Sequence, residues 1–239
     1  MSAVKAKSTS ARKFIPKNRS KETFSKPVAG QFSQRERILI VCEDSVHSVE
    51  YFKKVAGREG LNLSAVDIDI TGDCGSAPKS VYEYTKRKID KDITDNGEDN
   101  AFDIAYCVFD KDGHADFSST LETIRQNPKY KNIEVKAIPC IISFEIWILL
   151  HFSDSTKSFK KAQDVINAIK VLDKSDRALT DFDKDTPAKI YISHLKPRQA
   201  NAIKHSKRVL KNAIEIENDN PSTLIHEVIE KMEKEAKKK

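Results

Sequence analysis

Acids stand where apolar runs stop. Ile38 to Cys42 is a short continuous apolar run that ends in Glu43, and Phe102 to Phe109 (FDIAYCVF) ends in Asp110-Lys-Asp112-Gly. Residues two apart on an extended chain point the same way, so Asp110 and Asp112 can offer oxygens to one side. Hard carboxylate oxygens with room left for water are what Mg²⁺ prefers. A carboxylate from a neighbouring strand end would complete a site for in-line attack on a phosphodiester. DxDG is also a common turn, and a turn is the competing reading. His114, two residues past the second aspartate, could touch a scissile phosphate or the leaving oxygen, and a lone histidine with no such role is the alternative.

These acids require strands to hold them. Both apolar runs read as buried parallel strands. Residues 65–70 and 133–138 add two more, and helical spacing marks 48–58, 78–93, 118–127 and a buried helix at 143–152. The alternation implies an α/β domain over 36–152, with a mostly parallel sheet flanked by helices. In such sheets ligands bind beyond the carboxyl ends of the strands, where Glu43 and Asp110 fall. From Lys157 onward the patterns are helical, at 158–172, 199–217 and 222–237, broken by the polar stretch DKSDRALTDFDKDTP. Residues 153–239 thus read as a helical C-terminal extension.

Charge is unevenly distributed along the 239 residues. The formal net charge is +6, yet residues 1–36 carry +7, residues 231–239 carry +3, and the body between them is −4. Residues 1–35 have no periodicity and are rich in Ser, Lys and Pro, so they read as a disordered basic arm able to contact phosphates. Lys204, Lys207 and Arg208 recur at helical spacing and form one basic face suited to a nucleic-acid backbone, as does Lys111 between the two aspartates. A solvated charged face is the alternative.

The four cysteines form no CxxC pair, and three lie in strand-like runs, where a reduced thiol behaves as a small core residue. No apolar stretch is long enough to span a bilayer, and the basic start is not followed by a signal-peptide core. A membrane protein and a secreted disulfide scaffold are therefore excluded, and a cytoplasmic location is expected. No Walker motif is present, so any ATP dependence must come from another chain.

Four segments carry a resemblance: ILIVCEDSVHSVEYF, VFDKDGH, PCIISFEIWILLHF and, near the end, NDNPSTLIHEVIEKM. Together they resemble the RloB-like family over about residues 36–233. That family belongs to the Toprim fold group shared with bacterial primases, topoisomerases and overcoming-lysogenization-defect nucleases. The resemblance implies a Toprim-like (Rossmann-like) fold and a nuclease dependent on Mg²⁺ or Mn²⁺, hydrolysing phosphodiester bonds in DNA or RNA. It implies that Glu43 is a general acid/base or metal ligand, that Asp110 and Asp112 bind the metal, and that Glu145 is a second-site ligand. A buried helix carboxylate is the alternative for Glu145. An anti-phage defence effector, controlled by a partner ATPase of the ABC or AAA type, is the expected setting. The chain departs from the family pattern at Asp44, where many relatives carry Gly, and at Ser48, where they carry a second Glu. Asp44 or Glu50 would have to substitute for that Glu. The rival reading is a non-catalytic nucleic-acid- or protein-binding module on a degenerate Toprim fold. Within the last segment, Asn220, Pro221 and Ser222 read as a helix N-terminus ahead of His226.

Overall fold

The computed structural model describes residues 35–63, 67–111, 113–126 and 129–238. Residues 1–34 of the basic arm and Asp112 lie outside the described residues.

The chain runs β1 (Ile38–Cys42), α1 (His47–Ala56), β2 (Ile68–Thr71), α2 (Pro78–Asn96), β3 (Ile104–Asp110), α3 (Phe117–Gln126) and β4 (Glu134–Ile141). It continues through α4 (Glu145–Leu150), α5 (Ala162–Lys170), α6 (Arg177–Thr180), α7 (Thr186–Ile190) and α8 (Gln199–Glu215), then β5 (Ser222–Thr223) and α9 (Ile225–Lys237). The strands form one five-stranded sheet in the order β2-β1-β3-β4-β5, parallel except for the β4–β5 pair. This is the α/β, mostly parallel architecture expected from the alternation of strands and helices, and its layout is Rossmann-like.

Burial on both faces explains the continuous apolar runs. Ile38, Ile40 and Cys42 of β1, with Ile104, Tyr106 and Val108 of β3, enter one core together with Tyr51, Phe52, Trp147, Val165, Val209 and Val228 from α1, α4, α5, α8 and α9. Leu39, Val41, Ala105, Cys107 and Phe109 enter the other, against Val81 and Ile89 of α2 and Phe117 and Ile124 of α3. Alternate residues thus serve opposite layers, as the period of a strand requires. α2 begins with Pro78 in its first turn and stops at Gly97, whose φ of 81° favours glycine.

The strand order fixes where a ligand belongs. β1 leads through α1 to β2 on one side, and the chain then returns through α2 to β3 on the other. The order therefore reverses between β1 and β3, which opens a crevice at their carboxyl ends.

The C-terminal part differs from its sequence reading in two places. The stretch read as a polar break contains α6 and the first two residues of α7. The segment read as the N-terminus of the last helix is instead β5, paired antiparallel with Cys140 and Ile141, and α9 starts only at Ile225. Asn220 caps no helix. Its side chain accepts from the Phe159 amide at 3.1 Å and donates to the Phe159 carbonyl at 2.6 Å, pairing like a strand residue. The Thr223 hydroxyl, rather than that of Ser222, accepts from the Ile225 amide at 3.3 Å.

Candidate active site

Glu43 follows β1 directly, and its amide donates to the Val108 carbonyl at 2.9 Å, so the β1–β3 pairing continues one residue past the strand. Its carboxylate Oε2 accepts the Asp110 amide at 2.7 Å. The acids that end the two central strands are thereby joined across the topological switch point. Gly72, after β2, packs against this turn so closely that a Cβ there would overlap the Asp44 carbonyl. The turn carrying Glu43 is therefore held from β2 as well as from β3.

Glu43, Asp44, Asp110 and Glu145 line one cavity of about 330 Å³, together with His47, Ser48, Ser76 and Lys184. Larger cavities, of about 590 and 610 Å³, lie beside Asp90–Lys129 and beside α5. Position at the switch point and the convergence of acids single out the smaller one. Glu145 is 4% exposed and accepts from the Ser143 hydroxyl at 2.6 Å. It has no Lys or His partner among the described residues, so a buried ion pair does not account for it. A buried carboxylate with one neutral hydrogen bond fits a cation better than it fits isolation.

Asp44 and Glu50 are engaged elsewhere. The Asp44 carboxylate accepts from the amides of Val46 (3.0 Å) and Ser48 (3.1 Å) and from the Ser48 hydroxyl, tying down the start of α1. Glu50 pairs with Lys53 at 2.9 Å on the outer surface of α1. The missing second Glu therefore has no direct replacement, because Asp44 and Ser48 satisfy each other.

The remaining candidates are dispersed. His114 and Lys111 line a neighbouring cavity of about 280 Å³ with Asp219 and Asn220, and Lys111 pairs with Asp219 at 2.5 Å. Of the basic face on α8, Lys207 pairs with Glu230 at 2.6 Å and Arg208 pairs with Asp154, whereas Lys204 is exposed. Sequence reasoning missed His47 and Lys184. His47 follows Glu43 by four residues, a spacing that signals nothing by itself, and Lys184 lay in the stretch read as a break.

The thiols near the site are held away from the thiolate form. Burial pushes Cys42, Cys107 and Cys140 up, Cys107 to about 12. Cys74, whose Sγ donates to the Cys42 carbonyl at 3.0 Å, is pushed up to about 11 by burial and then by the Glu43 charge.

The donor chemistry fits a hard divalent cation, with carboxylates from two strand ends and α4 on one cavity. Among the described residues no three His, Cys, Asp or Glu side chains are already gathered to hold an ion, and Asp112 is not among those residues. A family profile described as RloB-like protein matches residues 38–232. The chain belongs to the RloB-like protein family. No curated protein and no solved structure matches it. The match to the RloB-like profile spans the sheet and the C-terminal helices together, from β1 into α9. No helix among the described residues is long and apolar enough to cross a membrane.

Proposed function

We propose that this RloB-like chain is a metal-dependent nuclease of the Toprim type that hydrolyses phosphodiester bonds in DNA or RNA. The observation that carries the reading is the Glu43–Asp110 junction at the switch point, with Glu145 on the same cavity. Asp110 and Glu145 would hold Mg²⁺ or Mn²⁺, and Asp112, two residues further on in sequence, would join them. The bound ion supplies Lewis-acid stabilisation of the phosphoryl oxygens and a more acidic water. Glu43 takes or returns the proton at its carboxylate while the Asp110 amide orients it. The family resemblance extends this reading to an anti-phage effector controlled by a partner ATPase.

The pairing of Asp44 with Ser48 favours a second reading, a non-catalytic nucleic-acid- or protein-binding module whose two-metal site is incomplete. One assay separates the two. Purified protein is incubated with labelled DNA and RNA in Mg²⁺ or Mn²⁺, as wild type and as Glu43→Gln. The nuclease reading expects cleavage that falls about 10²–10⁴-fold in Glu43→Gln, with an unchanged melting temperature, since the glutamine carbonyl still accepts the Asp110 amide. Cleavage absent from both proteins supports the module, and cleavage equal in both overturns the role of Glu43.

A further inference from the structure

Among the described residues, the cavity that gathers Glu43, Asp44, Asp110 and Glu145 has two lining side chains able to carry positive charge, His47 and Lys184. They come from opposite walls. His47 opens α1, whereas Lys184 lies on the short strap 181–185 between α6 and α7, in the C-terminal part of the chain. A phosphodiester entering among four carboxylates needs a cation beyond any metal that those carboxylates neutralise.

The strap is built to hold its position. Phe182 is fully buried in the core and anchors one end. The Asp183 amide donates to the Thr186 hydroxyl at 2.9 Å, and that hydroxyl donates back to the Asp183 carboxylate at 2.6 Å, so the turn around Lys184 is closed on itself. Asp185 reaches the His47 ring, with Oδ1 2.9 Å from Nδ1, and joins the strap to the wall it faces. The two atoms approach off the line of a straight hydrogen bond. Lys184 itself is exposed and has no ion pair or hydrogen bond among the described residues. Its neighbours are thus fixed while its ammonium is left over. Lys111, Lys207 and Arg208, by contrast, each face an acid of the fold.

We propose that Lys184 contacts the phosphate of the bound nucleic-acid strand in the strand-end cavity, with Asp185 and His47 positioning the strap that carries it. The inference rests on the nuclease reading and adds a residue to it from outside the α/β sheet unit. Lys184→Met removes one charge-assisted contact and Lys184→Arg keeps one. Asp185→Ala leaves the charge in place and loosens its support.

The test measures binding of a short fluorescein-labelled oligonucleotide to the full chain by anisotropy, in Ca²⁺ to suppress cleavage, alongside cleavage in Mn²⁺. Lys91→Met is the charge-matched control, since Lys91 pairs with Asp95 on the exposed side of α2, away from the cavity. Lys184→Met is expected to bind about tenfold weaker or worse. Lys184→Arg should stay near wild type, Asp185→Ala should fall between them, and Lys91→Met should be unchanged. If Lys184→Met binds like wild type while Glu43→Gln still abolishes cleavage, the Lys184 contact is overturned and the nuclease reading stands. Equal weakening in Lys184→Met and Lys91→Met would reduce the effect to bulk charge and overturn the contact too. A wild type that neither binds nor cleaves any oligonucleotide overturns both readings.

Discussion

Two polar regions of this chain look alike in sequence and differ in use. In the segment around Asn220–His226, nearly every polar atom is bonded within the fold. Asn220 pairs with the Phe159 backbone, and the Ser206 hydroxyl bridges the Thr223 carbonyl (3.0 Å) and His226 Nδ1 (2.9 Å). The Thr223 hydroxyl lies 3.4 Å from Cys140 Sγ. That segment ties β5 and α9 to α8 and β4. At the carboxyl ends of β1 and β3, polar groups of the same kinds line a cavity instead. A polar motif that saturates itself builds the fold, whereas one that faces a cavity is placed to meet a ligand. The comparison is broken by any interior variant that abolishes chemistry without lowering stability.

The largest stability effect is expected at His151, a buried polar group with incomplete bonding. Its Nδ1 donates to the Trp147 carbonyl at 2.9 Å, and its buried Nε2 has no hydrogen-bond partner among the described residues. Burial pushes His151 down to about 4. The unfolded chain, with an ordinary value near 6.5, therefore binds a proton that the folded state refuses, and stability is lost as pH falls from about 6.5 toward 4. The full loss is on the order of 3 kcal/mol. Urea titrations at pH 7 and pH 5 should show most of this slope in wild type and little of it in His151→Leu. Carboxylates held low by their partners, such as Glu36 beside Lys231, add their own loss only below the ordinary carboxylate range.

Asn220→Ala should have a smaller effect. It removes both hydrogen bonds to the Phe159 backbone and is expected to cost about 1–3 kcal/mol. Cleavage per folded molecule should be unchanged, which sharpens the contrast with Glu43→Gln. A denaturation midpoint measured beside an activity titration checks both halves of that expectation.

Much of the fold was legible because burial on both faces writes continuous apolar runs. Ile38–Cys42 and Phe102–Phe109 could be read as central strands without any long-range information. Their acidic ends marked Glu43 and Asp110 for the same reason, since a polar residue after such a run falls at the sheet edge. β5 was not legible. It has two residues, and its pairing with Cys140 and Ile141 is set by contacts far away in sequence. Lys184 was hidden for a related reason: Phe182 is the only apolar residue between Leu179 and Pro187, so no periodicity marks the strap. The basic face on α8 was visible as spacing, but its partners Glu230 and Asp154 were not, because only the packing of α8 brings them near.

Isothermal calorimetry of Mn²⁺ binding to the full chain, wild type against Asp110→Ala, tests the central claim most directly. Saturable binding is expected in wild type and is expected to be lost in Asp110→Ala, with folding retained in both proteins. Binding of equal strength in the two, or none in either, would contradict a metal site at the junction of β1 and β3 and give first place to the binding module.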